Sequence, residues 1–146
     1  MIPVHLSLSG FLSYLDPVDL DFTTFEVACI SGSNGAGKSS LLDAITWVLF
    51  GQARRRDDTI INSSAKTAEV TLDMQYEGHL YRVQRIKTRD KAVVLEFFVC
   101  TPEGDWRALT EHSMRETEQR IQQTLRMDYE TFVNASFFLQ GKADSF

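Results

Sequence analysis

The chain has 146 residues, 43% of them hydrophobic and 24% charged, with a formal net charge of −5. That is one domain or a part of one, with enough apolar mass for a core, and it excludes a globally disordered chain. The acidic balance excludes a general nucleic-acid sponge, the apolar stretches fall short of the ~20 residues of a membrane span, and no secretory signal is expected.

Ile2 to Ser9 alternates, placing Ile2, Val4, Leu6 and Leu8 on one face of a predicted strand. Val18, Leu20 and Phe22 alternate again around Asp19 and Asp21. Phe25 to Ser31 predicts a more deeply buried strand, followed by a glycine-rich turn from Gly32 to Gly37. From Lys38 to Phe50 the period becomes helical, with Leu41, Leu42, Ile45, Val48 and Leu49 on one broad face and Gly51 as the stop. The next section reads as an antiparallel meander. Val70, Leu72 and Met74 alternate, Glu77-Gly78-His79 turns, Leu80 to Ile86 alternates, and Val93 to Cys100 is apolar and β-branched. Pro102 to Asp105 is a turn leading into Trp106. Ser113 and Glu116 predict a capping box opening a helix through about Leu125, and Asp128 predicts the N-cap of a short helix after it. Ser136 to Leu139 predicts one more strand. Cys29 and Cys100 stand alone in apolar runs and read as buried free thiols. Trp47, Trp106 and the phenylalanines read as core, with Phe11 and Tyr14 less settled; His5, His79 and His112 have no metal or triad spacing.

Charge is unevenly spread. Residues 1–53 carry a single basic side chain, Lys38, against Asp16, Asp19, Asp21, Glu26 and Asp43. That lysine belongs to Gly32-Ser33-Asn34-Gly35-Ala36-Gly37-Lys38-Ser39, which fits G-x-x-x-x-G-K-[ST] without a mismatch, between an apolar strand and an amphipathic helix. Gly35 and Gly37 permit backbone angles and close approaches that a Cβ would block. Backbone N–H groups from about Asn34 to Ser40 can converge on phosphate oxygens, and the helix start adds its positive dipole end. Lys38 is placed to reach the β- and γ-phosphates, and Ser39 to ligate Mg²⁺. A glycine turn that merely caps a helix explains the glycines but not Lys38, because a cation at a helix N-terminus is unfavourable without an anion. The pattern therefore predicts nucleotide binding through Ser33, Asn34, Gly35, Ala36, Gly37, Lys38, Ser39 and Ser40.

The words around this loop carry a family resemblance. Phe11-Leu12-Ser13-Tyr14, Leu20-Asp21-Phe22, the run from Ile30 to Ile45, Leu49-Phe50-Gly51 and Phe137-Phe138-Leu139-Gln140-Gly141 resemble the N-terminal ATPase half of SbcC and its archaeal and eukaryotic repair counterparts. These are coiled-coil ATPases related to the structural-maintenance-of-chromosomes (SMC) proteins. The resemblance implies an α/β P-loop NTPase fold. Residues 1–146 would form the N-terminal lobe of an ABC-type ATPase head, running from the phosphate loop to the Q-loop. Gln140 would contact Mg²⁺ and position the attacking water. Asn62, Ser63 and Ser64 fall where the family's loop approaches adenine and ribose, although the same residues make an ordinary polar loop. The implied cofactors are ATP and Mg²⁺. The implied partners are the chain's own C-terminal ATPase half, a second head in an ATP-sandwiched dimer, an SbcD-type nuclease and double-stranded DNA. No membrane is implied, and the location would be cytoplasmic, at the nucleoid.

The chain departs from the family at Leu12, where an arginine or other polar residue is common, and it has no signature motif, no strand ending in Asp-Glu and no heptad region. By resemblance those parts lie in the C-terminal half, so little hydrolysis is expected from this portion alone. A RecF- or RecN-like repair ATPase head, or an ATP-gated clamp with negligible turnover, would share the same motifs.

Two basic clusters remain. Arg54-Arg55-Arg56 reads as a solvated turn beside Asp57-Asp58, with contact to DNA or a partner head as the alternative. Arg85, Lys87, Arg89 and Lys91, with Arg82 nearby, share strand parity. They predict either a strip that binds DNA phosphates or a solvated sheet face that resists edge pairing.

Overall fold

Period-two alternation turns Ile2–Ser9 into β1 and Val18–Asp21 into β2, an antiparallel pair with Leu6 opposite Leu20 and Leu8 opposite Val18. The computed structural model describes residues 1–22, 36–53 and 57–134. After β2 the described chain resumes with the helix α1 (Ala36–Phe50) and a short 3-10 turn at Asp57–Ile60. Then come β3 (Thr67–Tyr76), β4 (His79–Thr88), β5 (Val94–Cys100), β6 (Trp106–Ala108) and the helix α2 (Met114–Leu125). Residues 129–134 are helical again. The predicted strands at Phe25–Ser31 and Ser136–Leu139 lie outside the described residues, as do Cys29 and Arg54-Arg55-Arg56.

The predicted meander is present, and β1 and β2 extend it. All six strands form one antiparallel sheet in the order β2-β1-β3-β4-β5-β6. The β1–β3 pairing joins segments far apart in sequence. It sets Leu6 against Leu72 and Leu8 against Val70, so both strands turn their apolar rows to the same side. The register shifts between Pro3 and His5, where proline has no N–H to offer the ladder. Between β3 and β4 the hairpin turns on Glu77 and Gly78, both at positive φ (49° and 79°), as a two-residue turn matched to strand twist requires.

The core lies between this inner sheet face and the helices. Leu6, Leu8, Val70, Leu72, Met74, Val83 and Phe97 meet Ile45, Trp47, Val48 and Leu49 from α1 and Ile121 and Leu125 from α2. α1 begins two residues earlier than the apolar period alone predicts. It is also buried nearly all round rather than on one face, with Leu41, Ala44, Ile45 and Trp47 to Phe50 all inside, as befits a central helix. It stops where expected: Gly51 takes φ 72° and its N–H donates to the Trp47 carbonyl at 2.8 Å.

α2 starts at its predicted cap. The Glu116 N–H donates to Ser113 Oγ at 3.1 Å, and that hydroxyl donates to the Glu116 carboxylate at 3.3 Å. Thr117, Ile121 and Leu125, one face at four-residue spacing, are its buried side chains. Asp128 caps the next helical stretch, its carboxylate accepting from the Thr131 N–H at 2.7 Å, and Phe132 packs against Phe50.

Two core expectations need correction. Cys100 is a free thiol but only half-buried, because it closes β5 near the sheet's edge and faces Trp106 across the last ladder pair. Trp106 is itself half-buried on the short edge strand β6, where the Arg82 guanidinium stacks 4.2 Å from its ring centroid.

Candidate nucleotide site

The phosphate-loop sequence meets the described structure at Ala36, the first residue of α1; Ala36, Gly37, Lys38, Ser39 and Ser40 are the helix's opening residues. Ser33, Asn34, Gly35 and Gln140 lie outside the described residues. A helix start leaves amide N–H groups without intrahelical partners, and the first turn of α1 carries no acidic side chain to occupy them. Such an end favours an anion, and its residue types suit one: an ammonium from Lys38 and hydroxyls from Ser39 and Ser40. ATP with Mg²⁺ fits this donor set.

The segments expected beside the nucleotide are fastened to each other. Gly10 (φ 62°) leaves β1 so tightly that a Cβ there would stand 2.0 Å from the Thr67 carbonyl oxygen. Phe11 and Tyr14 exchange backbone hydrogen bonds of 2.9 Å each. The Leu12 N–H donates to the Ile60 carbonyl at 2.8 Å, and the Asn62 N–H donates to the Gly10 carbonyl at 2.8 Å. Phe11 is fully buried, with its ring centroid 5.3 Å from that of Trp47, so it is a core residue. Tyr14 is half-buried, and burial raises its pKa above the ordinary value.

Of the predicted adenine-side trio, Asn62 is committed to this brace. Its Nδ2 donates to the Leu12 carbonyl at 2.7 Å, and its Oδ1 accepts from the Ser64 N–H at 2.9 Å. Ser63 and Ser64 are exposed. Sequence polarity marks this loop but does not separate the brace from the exposed hydroxyls.

The predicted basic strip does not form an exposed strand face. β4 ends at Thr88, so Arg89 and Lys91 lie beyond it. Parity carries Arg85 inward with Val83, and it is only 2% exposed. Lys87 pairs with Asp58 at 2.9 Å, donates to the Thr88 carbonyl at 3.0 Å and also donates to the Lys91 carbonyl. Arg89 donates from Nε to the Ala65 carbonyl at 3.0 Å and from Nη2 to the Asn62 carbonyl at 3.1 Å. These cations staple the loop at 57–66 to the end of β4 instead of forming a row open to a polyanion. Lys87 also holds the Asp58 carboxyl below its ordinary pKa.

At the far end of α1 lies a polar cluster that motif reading does not reveal. Arg85 donates from Nε to the Val48 carbonyl at 3.3 Å and from Nη1 to Glu118 Oε1 on α2 at 3.0 Å. Burial draws its pKa below the ordinary value and Glu118 opposes that shift. A cavity of about 450 Å³ adjoins it, with Trp47, Gly51, Ile60 and Met114 among its walls. The signal in the sequence is strand parity: Arg85 alternates in step with Val83, whose side chain faces the core.

Among the described residues no cluster of three or more His, Cys, Asp or Glu could hold a metal, and no helix is long and apolar enough to cross a membrane.

The fold and the glycine-rich helix entry define a P-loop NTPase lobe of the SMC-head type. The SMC head domain from Thermotoga maritima superposes with a TM-score of 0.51, covering 82% of this chain and 42% of that one at 22% identity. The chain belongs to the AAA domain family AAA_23, which it matches over residues 5–146. It is 36% identical to the SbcC component of the nuclease SbcCD of Deinococcus radiodurans, over 97% of this chain and 16% of that protein. It is 37% identical to the DNA double-strand break repair Rad50 ATPase of Halobacterium salinarum, over 96% and 16% respectively. With a probable Rad50 ATPase of Aquifex aeolicus the identity is 30%, over the whole of this chain and 15% of that one. The chain thus spans about a sixth of the length of these DNA-repair relatives.

Proposed function

We propose that the chain is the N-terminal lobe of a DNA-repair ATPase head, binding ATP with Mg²⁺ at the start of α1. The observation that carries this reading is the unmismatched phosphate-loop sequence running into a helix whose first turn is free of acidic side chains. Backbone amides from Asn34 to Ser40 would bind the β- and γ-phosphates, and Lys38 would neutralise charge that grows on the γ-phosphoryl oxygens during in-line attack by water. Ser39 and Gln140 would hold Mg²⁺, which would supply positive charge to offset that of the phosphate oxygens. Gln140 orients the attacking water, since an amide can accept and donate without adding charge. Ser63 and Ser64, held out by the Asn62 brace, supply the hydroxyls on the adenosine side.

The likeness to SbcC and Rad50 across the chain supports a wider cycle. A C-terminal lobe completes the site, and ATP joins two heads. Hydrolysis then releases them and gates the access of double-stranded DNA to an SbcD-type nuclease in the cytoplasm. This portion alone turns over ATP weakly or not at all.

The test is equilibrium binding of ATP with Mg²⁺ to the intact protein, before and after Lys38→Ala. Removing the ammonium is expected to weaken affinity by about ten- to a hundredfold, the loss of one charge-assisted contact to phosphate. Equal affinity for the two proteins would refute the assignment.

A further inference from the structure

Arg85 is the largest fully buried side chain among the described residues, and the phosphate chemistry above makes no use of it. It reaches from the inner face of β4 to the last turn of α1, where it donates to the Val48 carbonyl, and its guanidinium carbon lies 5.9 Å from the Trp47 ring centroid. From the other side α2 holds it, through Glu118 and a 3.7 Å contact to the Met114 sulfur. Gly51 leaves the room: a Cβ there would stand 3.0 Å from Arg85 Nη1 and 3.2 Å from Glu118 Oε1. α1 has no basic residue in its last turn, so Arg85 supplies from another strand the cation that a helix's carbonyl end favours.

We propose that Arg85 is a positioning residue for nucleotide binding, setting the axial and rotational placement of α1 from the end opposite the phosphate loop. The inference rests on the nucleotide reading above. α1 has 15 residues, and at 1.5 Å per residue the two ends are about 22 Å apart along one rigid element. A rigid helix whose described part from Leu41 to Phe50 is mostly buried passes a shift at Val48 toward the amides at Ala36, and hydrogen bonds to a phosphate weaken steeply once distance and angle leave their preferred range.

The alternative is that Arg85 is only a pin for the fold, and its hydrogen bonding argues against that. Nη2 is buried and meets no acceptor among the protein's described atoms, so the protein pairs the guanidinium only in part. A buried charge in that condition stabilises poorly compared with an apolar side chain of similar volume. What it offers instead is direction: one strand, one helix end and a second helix held at fixed atoms.

The deciding experiment replaces Arg85 by Met together with Glu118 by Leu in the intact protein, removing both charges while keeping side-chain bulk. The expected result is a thermal midpoint at or above that of the unaltered protein, with affinity for ATP and Mg²⁺ lowered about tenfold or more, as misaligning one charged hydrogen bond would give. Glu118→Gln alone takes the carboxylate from a buried guanidinium and is expected to lower midpoint and affinity together, so the decision rests on the double variant. Midpoint and affinity falling together in the double variant would make Arg85 a structural pin and overturn the proposal. Unchanged affinity in that variant would overturn it as well. If the unaltered protein binds no ATP, the nucleotide reading fails first and this inference with it; binding that the variants retain refutes this inference alone.

Discussion

Arg82 and Arg85 stand three residues apart on β4 and live on opposite sides of the sheet. On the outer face Arg82 makes two bonds to Asp73, Nε to Oδ1 at 2.7 Å and Nη2 to Oδ2 at 2.9 Å, and it lies across Trp106 with part of its surface in water. That pairing raises its pKa. On the inner face Arg85 has one carboxylate oxygen, one backbone carbonyl, and a buried nitrogen with neither. The same side chain thus takes both oxygens of one carboxylate on the outer face and divides its donors between a carboxylate and a backbone carbonyl on the inner one. The difference comes from the two-residue period of a strand, which assigns neighbours to opposite solvents before any partner is chosen.

The most severe way to break this comparison is to exchange polarity across the sheet. Leu72→Asp puts a carboxylate at a fully buried inner position, and Thr71→Asp puts one next door on the outer face. The first is expected to cost on the order of 5 kcal/mol and leave the chain unfolded, whereas the second costs about 1 kcal/mol or less. Chemical denaturation followed by circular dichroism reads both, and similar losses would mean that β3 does not divide the two environments.

The next effect comes from Arg85 taken alone. Arg85→Ala leaves Glu118 without its partner beside a new void, for an expected loss of about 3 kcal/mol, at the low end for a broken buried pair because Glu118 keeps some contact with water. Truncating its counterpart sharpens the contrast: Arg82→Ala is expected to cost about 1 kcal/mol, from one partly exposed ion pair and one cation–π contact. Denaturation midpoints that rank the two variants the other way would refute the contrast.

The smallest effect concerns acid. Lys87 holds the Asp58 carboxyl below its ordinary pKa of 3.8, so the ionised folded form is favoured. A carboxyl of that kind contributes stability above its unfolded pKa and loses it as pH falls through the folded value. The melting temperature should therefore drop as pH is lowered below about 4, and Asp58→Asn should flatten that part of the profile. A variant profile parallel to that of the unaltered protein would remove Asp58 from the acid response.

Much of this molecule is legible in its sequence. The turn at Glu77-Gly78, the cap at Ser113, the stop at Gly51 and the rows Val70-Leu72-Met74 and Leu6-Leu8 depend on interactions within a few residues. Such interactions leave patterns of matching length. The basic strip misleads because parity aligns Arg85 with Lys87, Arg89 and Lys91, and the same parity aligns them with Val83, whose inward place decides where Arg85 goes. The Asn62 brace is hidden for another reason. An amide that bonds a carbonyl fifty positions away looks in sequence like any polar loop residue.

Local chemistry written along the chain was enough to determine the helix α1 and its stop at Gly51, the cap that opens α2, the turn between β3 and β4, and the alternation that separates two solvents across the sheet. Tertiary structure alone decided that β1 pairs with β3, that Asn62 fastens one loop to another, and that a buried Arg85 joins β4, α1 and α2. The division follows from range: neighbouring residues share a backbone geometry that constrains them directly. Distant residues meet only through the collective burial of their apolar faces, and the choice of polar partner waits until that packing has brought them together.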